Sequence, residues 1–174
     1  MNELIDIAIS AGFAKAVWLN GLKLECESRL RQLCNSKDCP NHGNNWVCPP
    51  GSGSLEECAE KVGGFCRGVL LQSVSELDQS SADFAVYKTL NREHNLRLRE
   101  FIETSGHGDI LALTSGGCVF CESCAYPNPC VRPDVRMNSL SVCGIDVGKL
   151  CDMAGLEYSF RPDRVYYTAL VLIK

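Results

Sequence analysis

Four times along the chain an amphipathic stretch ends at a glycine and gives way to an apolar, β-rich run. "ELIDIAISAG" leads into "FAKAVWL", "LEECAEKVGG" into "FCRGVLLQSV", and "LRLREFIETSG" into "HGDILALTS". "VGKLCDMAG" leads, after a longer link, into "RVYYTALVLIK". The first part of each phrase has the spacing of a helix with one buried face. Gly12, Gly63 or Gly64, Gly106 and Gly155 stand where those helices should stop and fit left-handed capping positions. Ser54 before "LEEC" and Ser81 before "ADF" suit the opposite end, as N-caps. The third helix is the longest, with Phe84, Tyr87, Asn91, His94, Leu98 and Phe101 on one stripe. The apolar runs read as strands covered on both faces. The alternation predicts an α/β fold, a single layered domain over residues 1–174 with a roughly four-stranded sheet and flanking helices. Only the pattern recurs; the residues themselves do not repeat.

The same pattern leaves two gaps, and the cysteines fill them. The first strand ends near Leu19 and the next of the four helices begins near Ser54; a cysteine-rich loop at about 26–50 lies between. The third strand ends near Ser115 and the last helix begins near Ser139, with a second such loop at 116–134. Both are strand-to-helix connections. If the first and third strands run parallel, both loops emerge at the carboxyl edge of the sheet, where open α/β folds place their ligands.

Composition changes this picture at one point. The 174 residues are 45% apolar and 22% charged, enough to bury a core, so disulfides are not needed to replace one. Twelve cysteines are abnormal for such a chain. The start, "MNELIDIAIS", has neither the basic region nor the unbroken apolar stretch of a signal peptide. No run is long enough to span a membrane. A net charge of −4 gives no basic field for nucleic acid. A soluble, cytoplasmic protein is expected, and in a reducing cytosol clustered thiols are metal ligands or redox groups.

Cys118, Cys121, Cys124 and Cys130 read C-x2-C-x2-C-x5-C. Steps of two let a tight loop turn three sulfurs toward one centre while its amides point inward and donate to them. The fourth thiol follows Pro129. Structural zinc takes two C-x2-C pairs separated by a dozen or more residues, which is not this pattern. So short a loop also cannot pair its cysteines as disulfides without strain. A [4Fe-4S] cluster is the expectation, with zinc as the alternative.

The first loop is looser: Cys34-x4-Cys39-x8-Cys48-Pro49-Pro50, with His42 inside it and Cys26 ahead of it in "LECESRLRQL", a candidate short helix. Three readings stand. Cys34, Cys39 and Cys48 hold a second cluster with a fourth group such as Cys26; or these three with His42 make a Cys3His zinc site; or the segment is a proline-rich lid with incidental thiols. A cluster held by three cysteines leaves one iron open to a small ligand, which is how this chain could be an enzyme.

The other thiols, Cys58, Cys66, Cys143 and Cys151, fall in expected helices or strands and read as small core hydrophobes, with Cys143 kept open because it follows the second loop so closely. His94 reads as a core or helix-face histidine and His107 as a solvated turn residue. Arg132 and Arg136 flank the second loop and suit either neutralisation of a cluster's charge or an acidic partner. Asp146 suits a helix cap. No phosphate loop, dinucleotide fingerprint or nucleophile elbow is present.

The stretches "CNSKDCPNHGNNWVCPP", "GGCVFCESCAYPNPCVRP", "SVCGIDVGKLCDMAGLEY" and "YYTALVLIK" resemble, in this order, the DUF2284 family of predicted metal-binding proteins. The resemblance implies Cys34, Cys39 and Cys48 as one ligand set and Cys118, Cys121, Cys124 and Cys130 as another, and gives Cys26 no support. The family pattern has arginine directly after the last loop cysteine; here that place is Val131, with Arg132 one later. Ser139 stands at the serine expected ahead of the "GIDV" segment. The family setting implied is anaerobic metabolism, including a corrinoid-dependent system. The resulting expectation is a protein with two [4Fe-4S] clusters that passes electrons to a redox partner protein. An enzyme acting through an open iron site and a zinc-stabilised interaction module are the alternatives.

Overall fold

The computed structural model describes residues 2–34, 39–78 and 83–174. Among the described residues, nine α-helices and β-strands follow the expected alternation: α1 (Asn2–Ser10), β1 (Lys15–Asn20), α2 (Ser28–Leu33), α3 (Leu55–Gly63), β2 (Arg67–Glu76), α4 (Phe84–Ser105), β3 (Ile110–Leu113), α5 (Val147–Ala154) and β4 (Arg164–Ile173). Each of the four helix–glycine–strand phrases becomes a helix and the strand after it.

The capping logic holds at most ends. Ser54 accepts from the Glu57 N–H while the Glu57 carboxylate reaches back to the Ser54 N–H, a reciprocal pair that satisfies two otherwise unpartnered donors. Asp146 caps α5 through the Lys149 N–H. Gly12, Gly106 and Gly155 take the left-handed conformation, at φ +90°, +64° and +65°. The α3 end differs: Gly64 has φ −78° and neither it nor Gly63 is left-handed, because this helix closes on a right-handed turn. Ser81 lies outside the described residues; Asp83 caps α4 through the Val86 N–H. On α4 the expected stripe is buried only from His94 through Leu98 to Phe101, while Phe84 remains 71% exposed, because the helix runs past the edge of its supporting layer.

The sheet has the order β1-β2-β4-β3 and every neighbouring pair is antiparallel. β1 and β3 therefore run in opposite directions, and the two cysteine loops leave the sheet at opposite ends. This corrects the expectation of a shared carboxyl rim. A fully apolar strand usually marks a parallel sheet because helices cover both of its faces. Here helices cover both faces of an antiparallel one, so the sequence signal is the same. Leu70, Leu170, Leu172 and Leu113 face α3 and α5, whereas Val69, Leu71, Ala169 and Val171 face α1 and α4.

The two halves of the chain share one plan. In the first, α1 and β1 lead through a cysteine loop to α3 and β2; in the second, α4 and β3 lead through the other to α5 and β4. The central pair β2–β4, registered from Gly68↔Leu172 to Glu76↔Arg164, joins them. The first loop starts at the end of the sheet where Leu22 N–H bonds Cys66 O, and it must travel the length of the α3/α5 face to reach the second. The last helix begins at Val147 rather than near Ser139. Residues 138–145 instead fold back on the end of β3, through Leu140 N–H to Thr114 O and Thr114 N–H to Asn138 O.

Candidate metal centre

The first loop opens with the short helix α2, whose last carbonyls receive the Cys34 N–H. From Cys39 onward it is a chain of turns held by its own backbone. His42 N–H bonds Cys39 O, Gly43 N–H bonds Pro49 O, and Cys48 N–H bonds Asn45 O. Proline and glycine forbid a regular element here, so each carbonyl must find a partner within a few residues. Arg31 on α2 fastens the ends of this segment: its guanidinium donates to Gly53 O, to Ser52 Oγ at 3.4 Å and to Val142 O at 2.7 Å.

The second loop lies directly against the first. Buried Asn45 accepts from the Val47 N–H and donates to Cys118 O at 3.2 Å, fixing the position of the first cysteine of the other loop. The Trp46 indole N–H donates to Asn128 O at 2.9 Å. Its ring stands edge-on to Tyr126 at 5.0 Å, and the Arg136 guanidinium lies 5.6 Å from its centroid. At Gly51 a Cβ would sit 2.9 Å from the Tyr126 ring, so only glycine permits this approach of the two loops. Both loops leave the sheet at opposite ends and still meet, because the first is long enough to cross the face.

Cys118, Cys121, Cys124 and Cys130 line one cavity, together with Arg132 and Arg136. Burial pushes the Cys118 thiol up, the Phe120 N–H facing its sulfur pulls it down, and the three neighbouring cysteines push it up again. Cys48 is pushed up to about 12, first by burial and then by Cys39, Cys34, Cys118 and Cys124. Burial, then Cys39, also raises Cys34, against the Arg31 charge. All seven expected ligands thus gather around Cys48 or Cys118, with Cys34, Cys39 and Cys124 beside the first and Cys121, Cys124 and Cys130 beside the second. Cys34, Cys48 and Cys118, half-buried and crowded by other thiols, resist deprotonation; a bound cation removes that resistance by neutralising the thiolates together.

Among the described residues, no three Cys, His, Asp or Glu side chains are yet drawn to the distances of a formed metal site. The second-loop sulfurs face a shared space. The donor set nonetheless fits a thiophilic centre: four thiols on one cavity, a backbone N–H aimed at one of them, and cations at the rim.

Cys26 goes elsewhere. It packs at the core face near Cys58, which the sequence reads as a core thiol, and Cys143, which the sequence leaves open. Of the others, Cys151 is buried against Gln72 and Thr168, and Cys66 is exposed. Asn45, Trp46, Arg31 and Tyr126 have no spacing that would have marked them; their role exists only because two loops some seventy residues apart touch.

A family model, DUF2284, described as a predicted metal-binding protein, matches residues 17–173, nearly the whole chain. No curated protein and no solved structure matches it. No helix among the described residues is long and apolar enough to cross a membrane.

Proposed function

We propose, from the premise that the chain belongs to the DUF2284 family, that it is an iron–sulfur protein in which Cys118, Cys121, Cys124 and Cys130 hold a [4Fe-4S] cluster. Cys34, Cys39 and Cys48 hold a second one in this reading. Such clusters supply one-electron transfer. The chain's part is to fix the thiols and set the charge around them. Asn45 and Trp46 clamp the two loops together, the Phe120 N–H donates to the Cys118 sulfur, and Arg132 and Arg136 offset negative charge at the rim. The observation that carries the reading is the position of Cys48, whose thiol is close enough to Cys34 and Cys39 of its own loop and to Cys118 and Cys124 of the other to be raised by all four. Two centres adjoining through one residue suit passage of an electron from one to the next and on to a redox partner protein.

Anaerobic purification followed by iron and acid-labile sulfide assays, with EPR after dithionite reduction, tests this. Brown protein containing iron and sulfide in equal amounts is expected. Stoichiometric zinc without sulfide, in protein made with iron supplied, would replace the proposal with a zinc-stabilised module.

The placement of Cys26 beside Cys58 and Cys143 supports a second reading, in which the first loop offers three thiols and leaves one coordination position for a substrate. In that case Cys26→Ala retains all iron, and a small thiol or sulfide alters the EPR signal of the reduced protein. Loss of the first centre in Cys26→Ala would make Cys26 its fourth ligand and close the position.

A further inference from the structure

Outside the two loops, the α3/α5 side of the core holds a pair of thiols that the electron-transfer reading does not use. The Cys143 thiol donates to the Cys58 sulfur at 3.0 Å, and each residue is only 2% exposed. Cys58 belongs to α3, and Cys143 to the turn that follows the second loop, so 85 positions separate them. A disulfide needs its sulfurs at about 2.05 Å. This pair is about one ångström short of that, with both side chains already aimed at each other.

The surroundings favour charge on one sulfur. Cys58 is drawn below the ordinary thiol value, first because it accepts from Cys143, and then, against its burial, through the Arg31 and Lys61 charges and the Asn138 side chain. Cys143, which donates its proton to that sulfur and is buried, is pushed up. The pair thus shares one proton, with Cys58 as the nucleophile and Cys143 as the thiol behind it. A cavity of about 150 Å³ touches both residues and is also lined by Lys61, Asn138 and Arg136. A buried pair would be inert without such a space. This one is roomy enough for a molecule the size of two waters.

We propose that Cys58 and Cys143 are a reactive thiol pair that closes to a disulfide when hydrogen peroxide enters the cavity beside them. The Cys58 thiolate attacks one peroxide oxygen, the O–O bond breaks, and Cys58 sulfenic acid and hydroxide form. That hydroxide takes the Cys143 proton and becomes water. The Cys143 sulfur then attacks the Cys58 sulfur, the S–O bond breaks, and the second hydroxide leaves and takes a proton from solvent. Two sulfurs lose two electrons in all, and the peroxide is reduced to two waters. A dithiol reverses the closure by exchange. The disulfide would tie α3, just after the first metal loop, to the turn just after the second. Arg31 already joins those segments through Gly53 and Val142. The inference does not depend on which metal the loops hold.

The test uses anaerobically purified full-length protein treated with increasing hydrogen peroxide, then alkylated under denaturing conditions and mapped by mass spectrometry. A Cys58–Cys143 cross-linked peptide that vanishes after dithiothreitol is expected, appearing at lower peroxide than oxidation of exposed Cys66. In Cys143→Ser, dimedone should label Cys58, at least several-fold above the wild-type protein. In Cys58→Ser, Cys143 should stay unlabelled. The proposal is overturned if both residues remain free thiols after Cys66 is oxidised, or if Cys26 is the partner found. It is also overturned if the two thiols resist alkylation in the native protein because they hold a metal that a mercurial releases. The wild-type map decides the matter even if a variant does not fold.

Discussion

On one face of the sheet, Val69, Leu71, Ala169 and Val171 meet Leu4, Ala8, Leu98 and Phe101 through hydrocarbon, with His94 enclosed among aromatic rings nearby. On the other, Leu70, Leu170 and Leu172 share their layer with Cys58, Cys143 and Cys151. The strands are the same strands, read at alternate positions. The first face is covered by α1 and α4, which run straight into the strands they support. The second is covered by α3 and α5, each reached through a cysteine loop. The chain therefore separates the work: one layer holds the sheet, and the opposite layer carries thiols from the metal loops down to the buried pair. The difference teaches that thiol density here follows connection type, since cysteine gathers where a strand must pass through irregular chain before its covering helix.

The sharpest way to break this comparison is to remove ligands from the thiol side alone. If the second loop holds the proposed cluster, Cys118→Ser combined with Cys121→Ser should abolish its iron, read by iron and sulfide content, while urea unfolding of the metal-free protein shifts by less than about 0.5 kcal/mol. A large loss of metal-free stability would mean the loops support the fold directly. The converse substitution is Phe101→Ala on the fully buried scaffold face, which should cost about 3–5 kcal/mol in the same unfolding assay and leave iron per folded molecule unchanged.

A smaller effect is expected at the joint between the first loop and the turn after the second. Gly144 has φ +66°, and a Cβ there would lie 2.6 Å from Glu27 O, so Gly144→Ala should cost about 2–3 kcal/mol. If its cost is near zero, the Glu27 N–H bond to Gly144 O is not holding these segments together.

The smallest effect belongs to His94. Burial, then the Arg97 charge, holds its ring down to about 3, and Ser73 Oγ lies 2.9 Å from its Nδ1. Its folded value is below its unfolded one of about 6.5, so protons bind the unfolded chain preferentially. Stability is complete above about pH 6.5 and falls as the pH drops toward 3. Between pH 7.5 and 5.5 the loss should be about 1.4 kcal/mol, and His94→Gln should flatten that part of the profile. A wild-type profile already flat over this range would show that the ring is charged or solvated in the folded protein.

Much of this architecture is legible in the sequence because its signals are short-ranged. The Ser54–Glu57 capping pair, the Asp146 cap and the left-handed glycines at 12, 106 and 155 act within a turn of chain, so the residues that make them also reveal them. The second loop is legible for the same reason, since its four cysteines lie within thirteen positions and reach one cavity. Strand direction is not legible. Apolar runs report burial on both faces, and helices can supply that burial to either kind of sheet. The exposed Phe84 on α4 shows the same limit: helical spacing predicts a stripe, but how far the supporting layer extends is not written in it.

By itself, the sequence determined the four helix–strand phrases, the two places where cysteines interrupt them, and the close cysteine spacing of the second. Only the tertiary structure decided that the sheet is antiparallel, that the first loop crosses a whole face to place Cys48 beside Cys118, and that Cys26 joins Cys58 and Cys143. Caps and ligand spacings are contacts between near neighbours in the chain. The Cys58–Cys143 pair and the Asn45–Cys118 bond span 85 and 73 positions, and such contacts exist only once strand order and register have brought those segments together.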